Sequence, residues 1–276
     1  MTIAQALNGA YLQLQEARVP DFKLDAQWLL ADLLGVKRLA LTLMGDSLLD
    51  ESRQAAYADL IARRARREPL QYILGTAEFM GHRFFVRPGV LIPRSDTETL
   101  AQMVIRRVKP GNRVLDLCCG SGCLAIAIKM ACPEARVWAS DLSEEAVSLT
   151  RENARRLGAE ITVAQGDLFA PLRGHRFDLI VSNPPYIPAA DLPGLQAEVG
   201  FEPAMALDGG EDGLRFYRAI LAQAPHFLIP GGWLMVEVGD GQAEALSGLL
   251  PPGFTPWRIT HDLSGLPRAA ETRLET

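Results

Sequence analysis

Apolar residues in the first seventy positions recur every three or four residues, a spacing that predicts helices. The apolar face of the first helix, which Thr2 can cap, consists of Ile3, Leu7, Tyr11 and Leu14. A second run, LDAQWLLADLLG, ends at Gly35 in the position where helices commonly stop, and a third begins after Asp50. These runs predict a small helical bundle.

The pattern changes after residue 72. The segment EFMGHRFFV (78–86) places strand-forming residues around a glycine and predicts a hairpin. From residue 94 strands alternate with helices, which is typical of an α/β fold with a parallel sheet covered on both faces. The predicted strands are 113–117, 136–140, 161–165, 177–182 and 233–238. We therefore expect three parts: a helical domain over 1–72, a β-hairpin linker over 73–93 and a catalytic domain over 94–276.

Composition narrows the class of protein. The chain has 276 residues, 48% of them apolar and 22% charged, with a net charge of −5. That charge argues against a protein whose main task is to grip nucleic-acid phosphates. The N-terminus lacks the basic and then apolar order of a signal peptide, and no apolar run is long enough to cross a bilayer. The four cysteines lie close together at Cys118, Cys119, Cys123 and Cys132 without a zinc spacing, which favours a reducing compartment and no metal site. We expect a cytoplasmic monomer with no membrane contact.

A glycine-rich turn follows the first predicted strand of the sheet. The segment Cys118-Cys119-Gly120-Ser121-Gly122 stands between this strand and a helix, where small residues let a ligand approach the backbone. Asp141, at the end of the next strand, can accept hydrogen bonds from ribose hydroxyls. This combination suits NAD as well as S-adenosylmethionine, and a turn that binds nothing remains an alternative.

The sequence Asn183-Pro184-Pro185-Tyr186 follows the fourth predicted strand and distinguishes these possibilities. Ligands of open α/β sheets bind at the carboxyl ends of strands, so this segment should face the same crevice as Gly120. The Asn183 side-chain oxygen and the Pro184 carbonyl could accept both N–H groups of a planar amide or amine, against which Tyr186 could pack. Holding such a nitrogen beside a sulfonium methyl would assist methyl transfer.

Three further features have weaker interpretations. Asp167 and Leu168 could border an adenine, or they could simply be a loop aspartate beside a core leucine. The basic run 63–67 could contact an acidic or RNA-containing partner, although a solvated helix face is the favoured interpretation. The long connection between Tyr186 and Leu214 is predicted to be a lid that faces the substrate.

These residues bear a family resemblance over essentially the whole chain. PLQYILGTAEFMG, LIPRSDTETL, VSNPPYI, FEPAMAL and LSGLPRAAETR resemble the HemK/PrmC family of release-factor glutamine methyltransferases. The resemblance implies a helical domain that recognises the release factor, a hairpin linker and a Rossmann-like seven-stranded methyltransferase domain. It also implies that residues 118–122, Asp141, Leu168 and Asn183 line the S-adenosylmethionine site, which would release S-adenosylhomocysteine. Residues 183–186 would hold the glutamine of the release factor's Gly-Gly-Gln loop.

One segment departs from this pattern. Cys118 and Cys119 stand where release-factor enzymes usually have Gly-Thr, and DLCCGSGC is closer to the related ribosomal-protein glutamine methyltransferases (PrmB). A ribosomal protein is therefore an alternative substrate. Asn-Pro-Pro-Tyr is also similar to the motif of enzymes that methylate the amino group of adenine or cytosine, although no stable nucleic-acid binding is expected. An NAD-dependent oxidoreductase or a silent nucleotide-binding module is the most distant alternative.

Overall fold

A computed structural model describes residues 1–262 and 264–276 and divides the chain into two units. The first unit comprises Met1–Thr76 together with Gln196–Phe201. Its helices are α1 (Ile3–Glu16), α2 (Phe22–Leu34), α3 (Ala40–Leu43), α4 (Glu51–Ala65) and α5 (Leu70–Leu74). Thr2 caps α1 through a capping box with Gln5, and Gly35 ends α2 in the left-handed conformation. The three predicted helices are confirmed, whereas the spacing of apolar residues did not reveal the short helices α3 and α5.

The core of this unit lies between α1, α2 and α4. Leu14, Leu29 and Leu30 are fully buried, and Ile61 of α4 is nearly so. The Tyr57 hydroxyl, which is also buried, donates a hydrogen bond of 3.0 Å to the backbone carbonyl of Ala26. The amphipathic faces predicted from the sequence therefore pack against one another.

The second unit comprises Ala77–Leu195 and Glu202–Thr276. Most of the predicted hairpin belongs to it, as strands β1 (Thr76–Phe79) and β2 (His82–Phe85) joined through Met80 and Gly81. The hairpin is confirmed, whereas the three-part division at residues 72 and 93 remains a prediction. The inclusion of residues 196–201 in the helical unit is a feature that no sequence pattern indicated.

A seven-stranded sheet forms the centre of the second unit. Its strands are β3 (Arg113–Leu117), β4 (Arg136–Asp141), β5 (Ile161–Gln165), β6 (Phe177–Ser182), β7 (Leu228–Glu237), β8 (Arg258–His261) and β9 (Pro267–Arg273). The spatial order is β5-β4-β3-β6-β7-β9-β8, and only β9 runs antiparallel to its two neighbours. The five predicted strands and the α/β class are confirmed, as is the seven-stranded sheet that the family resemblance implied. Leu263, which belongs to the family segment LSGLPRAAETR, lies outside the described residues.

Strands β8 and β9 were both missed by the sequence prediction, and in β9 a buried charge interrupts the apolar pattern. Glu271 is 4% exposed and accepts two hydrogen bonds from the Arg107 guanidinium, at 2.6 and 2.5 Å. Arg107 in turn lies over the Trp233 ring, 3.8 Å from its centroid. A buried, paired carboxylate is compatible with a strand but looks like a surface position in a sequence.

Helices cover both faces of the sheet, since neighbouring residues of a strand pack into different cores. Val114 packs with α6 (Thr97–Ile105), α7 (Cys123–Ala131) and α8 (Glu144–Leu157), whereas Leu115 packs with α9 (Arg215–Phe227) and α10 (Ala243–Gly248). The strand order reverses between β3 and β6. Ligands of such sheets bind at that switch point, outside the carboxyl ends of the strands.

Candidate functional site

A cavity opens at the carboxyl ends of β3, β4, β5 and β6, within the second unit. The predicted site residues that line it are Cys118, Cys119, Gly120, Ser121, Asp141, Asp167, Leu168, Asn183 and Pro185. Three other predicted residues, Gly122, Pro184 and Tyr186, do not line it. The wall residues that the sequence interpretation missed include residues 89–94 before α6, Thr97 at the start of α6 and Phe216 of α9.

The glycine-rich turn after β3 requires left-handed backbone conformations. Cys118, Gly120 and Gly122 have φ angles of +59°, +54° and +80°. A Cβ on Gly122 would lie 2.7 Å from Cγ2 of Thr150, so glycine is needed there to let the turn pack against α8. A Cβ on Gly120 would meet only Val90, at 3.9 Å. Gly122 therefore serves packing, and Gly120 leaves space for a ligand.

The departure at Cys118 now has a structural consequence. The family resemblance leads us to expect glycine at this position, and a non-glycine residue in the left-handed region costs about 1–2 kcal/mol. Burial raises the pKa of both the Cys118 and the Cys119 thiols above the usual value. Because the thiolate is the reactive form, these side chains are inert wall residues.

Asp141 at the end of β4 contributes to the turn as well as to the cavity. Its Oδ2 accepts a hydrogen bond from the Gly120 amide and its Oδ1 one from the Ser143 amide, each at 2.9 Å. A carboxylate can accept about four hydrogen bonds, so capacity remains for hydroxyl groups of a ligand. Burial raises the pKa of Asp141, and these backbone hydrogen bonds oppose the rise.

Asp116 lies beneath the glycine-rich turn and is fully buried. Its Oδ2 accepts a hydrogen bond of 3.0 Å from the Ala125 amide of α7, and Oδ1 has no partner among the described residues. Burial raises the pKa of Asp116 to about 8. A partly unsatisfied carboxyl at this point suits a site whose polar groups are completed by a ligand or by water.

The cavity becomes more apolar toward β5. Leu142, which is 56% exposed, and Leu168 both line this part, with Asp167 beside them. A carboxylate that can accept from hydroxyls, next to apolar side chains, fits a nucleoside with its ribose at Asp141 and its base at Leu168. The glycine-rich turn leaves room for the remainder of such a ligand, so the residues present fit S-adenosylmethionine.

The Asn183-Pro184-Pro185-Tyr186 turn follows β6. Nδ2 of Asn183 donates a hydrogen bond of 3.1 Å to Oγ1 of Thr97, which leaves the Asn183 oxygen available as an acceptor. Pro184 and Pro185 are buried. A rigid backbone and an oriented amide oxygen are what is needed to hold a planar N–H donor.

Tyr186 is held by the protein itself. Its hydroxyl donates to Oε1 of Glu237 at 3.3 Å, and its carbonyl accepts from Nε2 of Gln242 at 2.8 Å. A Cβ on Gly239 would lie 2.8 Å from the Tyr186 ring, so its surroundings are tightly packed. Contact between Tyr186 and a substrate remains a prediction.

The connection between Tyr186 and α9 contains three short 3-10 turns, Leu192–Gly194, Val199–Phe201 and Ala204–Ala206. Pro203, Met205 and Ala206 line the cavity. These contacts are compatible with the lid predicted for this segment, and its movement remains a prediction.

The basic run of α4 is explained within the helical unit. Arg64 is 5% exposed and donates to Asp25 at 2.7 Å and to Glu198 at 2.8 Å. Arg67 forms two hydrogen bonds with Glu198, at 2.7 and 2.6 Å, and Arg63 is paired with Glu68. The favoured interpretation of a solvated helix face is therefore wrong for Arg64, because the sequence did not show that Glu198 joins this unit.

Within residues 1–262 and 264–276, no helix is long and apolar enough to span a membrane. Over the same ranges, His, Cys, Asp and Glu side chains form no group of three that could hold a metal ion.

Two family models match the chain. Residues 5–75 match the model described as PrmC N-terminal domain, and residues 93–193 match the methyltransferase small domain. Together they cover the helical unit and the part of the sheet that carries both turns.

Similar proteins extend over nearly the full length. A release factor glutamine methyltransferase of Geobacter sulfurreducens is 48% identical over 275 residues, which are 99% of this chain and 97% of that protein. The protein of the same name from Moorella thermoacetica is 44% identical over 253 residues, 90% of this chain and 89% of its own length.

Solved structures show the fold. A methyltransferase from Pyrococcus furiosus superposes with a TM-score of 0.56 at 16% identity, over 78% of this chain and 99% of that one. The T. thermophilus 16S rRNA N2 G1207 methyltransferase, determined with AdoMet and guanosine, has a TM-score of 0.54 at 20% identity and covers 73% of this chain and 50% of its own. At such identities the likeness concerns architecture alone.

Proposed function

Because the chain belongs to the release factor glutamine methyltransferase family, we propose that it methylates a glutamine side chain of peptide-chain release factors. The methyl group comes from S-adenosylmethionine, and the acceptor is the amide nitrogen of the glutamine in the Gly-Gly-Gln segment. The remaining product is S-adenosylhomocysteine.

The cofactor site extends along three strand ends. When S-adenosylmethionine binds, Asp141 would accept hydrogen bonds from the ribose hydroxyls, Leu168 would pack against the adenine and Asp167 would lie near its amino group. The turn of residues 118–122 would hold the methionine portion, for which Gly120 leaves space. When bound, S-adenosylmethionine supplies an electrophilic methyl group on a positively charged sulfur.

The substrate glutamine binds at the neighbouring turn. The Asn183 oxygen accepts one N–H of the carboxamide and the Pro184 carbonyl accepts the other, while Tyr186 borders its plane. The two acceptors aim the amide nitrogen at the methyl carbon. Methyl transfer would form the new C–N bond and break the C–S bond, and the methylated nitrogen, which is strongly acidic, would lose its proton to water.

The observation that supports this proposal most strongly is the orientation of Asn183. Its Nδ2 donates to Thr97, 3.1 Å away, so its oxygen is available as an acceptor at a cavity that the glycine-rich turn also lines. An amide nitrogen is a poor nucleophile, and precise placement is the assistance that such an acceptor needs.

Mass spectrometry of a substrate peptide tests the proposal. After incubation with S-adenosylmethionine and a release factor, the tryptic peptide that contains Gly-Gly-Gln should gain one methyl group on the glutamine. A release factor with that glutamine replaced by glutamate is the matched control and should gain none.

Parallel incubations separate the alternatives. Ribosomal protein, DNA and RNA are offered with labelled cofactor, and heat of binding is measured with S-adenosylmethionine and with NAD. Methylation of the ribosomal protein but not of the release factor would refute the proposed substrate. Binding of NAD in place of S-adenosylmethionine would refute the reaction.

The proposal includes a cytoplasmic monomer that needs no metal and forms no stable complex with nucleic acid. The acidic net charge of −5 supports the last point. Light scattering after gel filtration should give the mass of one chain, and activity should survive treatment with a chelator.

A further inference from the structure

A buried glutamate lies behind the Asn183 turn and has no role in the proposed function. Glu237, at the end of β7, is 2% exposed. Its Oε1 accepts from the Tyr186 hydroxyl at 3.3 Å, whereas Oε2 has no hydrogen-bond partner among the described residues. Burial raises the pKa of Glu237 to about 7. A carboxyl group so poorly satisfied is costly, which suggests that it serves the site rather than the fold.

Thr97 connects this glutamate with Asn183. Thr97 begins α6, is 2% exposed and accepts the 3.1 Å hydrogen bond from Nδ2 of Asn183. Its hydroxyl also interacts with the Glu237 carboxylate and thereby offsets part of the rise in the glutamate's pKa. This second contact is looser than a full hydrogen bond, since Oε2 of Glu237 has none.

The chemistry of Glu237, Thr97 and Asn183 determines which group donates and which accepts in each contact. A hydroxyl group has a single proton, and a charged carboxylate can only accept. With Glu237 charged, the Thr97 proton points toward Glu237 and its oxygen accepts from Asn183. The Asn183 carboxamide must then place its NH₂ group on Thr97 and its oxygen on the opposite side.

We propose that Thr97 and Glu237 are positioning residues that determine which way the Asn183 carboxamide faces, so that its oxygen is presented to the substrate amide. This inference rests on the proposed function, because an acceptor is needed there only if the substrate donates N–H groups. Neither residue needs to touch the substrate, since both act through Asn183.

Protonation of Glu237 would reverse the hydrogen bonds between these three residues. A protonated Glu237 can donate to Thr97, and Thr97 can then donate to the Asn183 oxygen. The Asn183 NH₂ group would then face the cavity, where it would confront the N–H donors of the substrate. Two N–H donors that face each other cannot form a hydrogen bond, so both groups are left unsatisfied.

The surroundings of Glu237 determine the pH at which this change occurs. Asp96 favours the protonated form of Glu237 and Arg268 the charged form, while the contact with the Thr97 hydroxyl and the hydrogen bond from Tyr186 favour the charged form. Two further groups, on α9 and α7, interact electrostatically with Glu237: Tyr217 and Cys123.

The first test observes Asn183 directly, without substrate. The side-chain NH₂ protons of Asn183 are followed by nitrogen-15 NMR in the full-length chain, in the wild type and in the variants Thr97→Val and Thr97→Ser. Valine keeps the shape but removes the acceptor, so exchange with solvent should accelerate at least about tenfold, whereas serine should retain protection. Equal exchange rates in all three proteins would overturn the inference.

Turnover provides the second test. Thr97→Val should lower kcat at least about tenfold with little change in the affinity for S-adenosylmethionine, and Thr97→Ser should restore most of it. In an Asn183→Ala background Thr97→Val should have almost no further effect, because the residue acts through Asn183. Independent, additive losses would overturn the inference.

The pH profile is the third test and does not require that Thr97→Val folds. The kcat of the wild type should fall as pH drops through about 7, where Glu237 takes up a proton. Glu237→Gln has no proton to gain or lose over this range, so its kcat should be constant between about pH 6 and 8. A Glu237→Gln profile identical to that of the wild type would refute the inference. Absence of release-factor methylation by the wild type would instead refute the proposed function, while the NMR result would still stand.

Discussion

The two turns that line the cavity are built in opposite ways. The turn after β3 depends on missing side chains and on three left-handed residues, Cys118, Gly120 and Gly122. The turn after β6 depends on a rigid proline backbone and on side-chain hydrogen bonds to Asn183 and Tyr186. The difference shows that a cofactor site needs space beside the backbone, whereas a site for a weak nucleophile needs acceptors that orient it. The first turn therefore tolerates Cys118, at the cost of some strain, and the second has no comparable freedom.

The largest expected effect tests whether Asn183 orients the substrate nitrogen. Asn183→Ala should lower kcat at least about 100-fold, because the acceptor that aims the substrate nitrogen is lost. The dissociation constant of S-adenosylmethionine, measured calorimetrically, should change by less than about tenfold. Asn112→Ala, a change in the same unit outside the cavity lining, is the control and should retain turnover. Near-normal turnover of Asn183→Ala would remove Asn183 from the mechanism.

The next effect tests how much space the turn after β3 needs, by substitution of two of its glycines. Gly122→Ala should destabilise the protein by about 3 kcal/mol, since its Cβ would meet Thr150 at 2.7 Å and its φ is +80°. Gly120→Ala meets nothing closer than 3.9 Å and should cost only about 1–2 kcal/mol. Urea unfolding measures both. Equal losses would show that backbone strain alone, and not packing, explains Gly122.

A smaller effect separates the two aspartates that line the cofactor side. Asp141→Ala should weaken S-adenosylmethionine binding about 10–100-fold, through the lost ribose contacts and the lost support of Gly120. Asp167→Ala should weaken it less than about tenfold, since it contributes one contact to the adenine. Calorimetric titration of both variants decides the order. A larger loss at Asp167 would contradict the ribose assignment.

The smallest effect concerns stability as a function of pH. The pKa of Asp116 is raised to about 8 by burial, whereas its ordinary value is 3.8. Between these values the native state holds a proton that the unfolded state has released, so the free energy of unfolding falls as pH rises from about 4 to 8. Asp116→Asn should reduce the accompanying fall in Tm by about 2–4 °C, as measured by calorimetry of the ligand-free protein. A wild-type Tm that rises over this range would contradict the assignment.

Much of the fold could be predicted because its signals are local. Helix faces, the cap at Thr2 and the stop signal at Gly35 all depend on neighbouring residues. The five parallel strands are apolar because both faces of the sheet are covered. Strand β9 was hidden because Glu271 is neutralised by Arg107, a partner 164 residues away.

The candidate site was predicted only in its outline. The two motifs indicated the cavity, since the ends of parallel strands meet at one edge of a sheet. Residues 89–94 and Thr97 were not found as wall or support, because no motif connects them with residue 183. Glu198 was likewise unremarkable until it appeared between Arg64 and Arg67.

By itself the sequence determined most of the helices and strands, the family and the two turns, since periodicity, caps and motifs depend on adjacent residues. Only the tertiary structure decided which way Asn183 faces and which charges are buried. These depend on partners brought together from distant segments, such as Thr97 and Glu237, and on the loss of solvent around them. The orientation of a side chain and the burial of a charge depend on the surrounding residues, which come together only once the chain has folded.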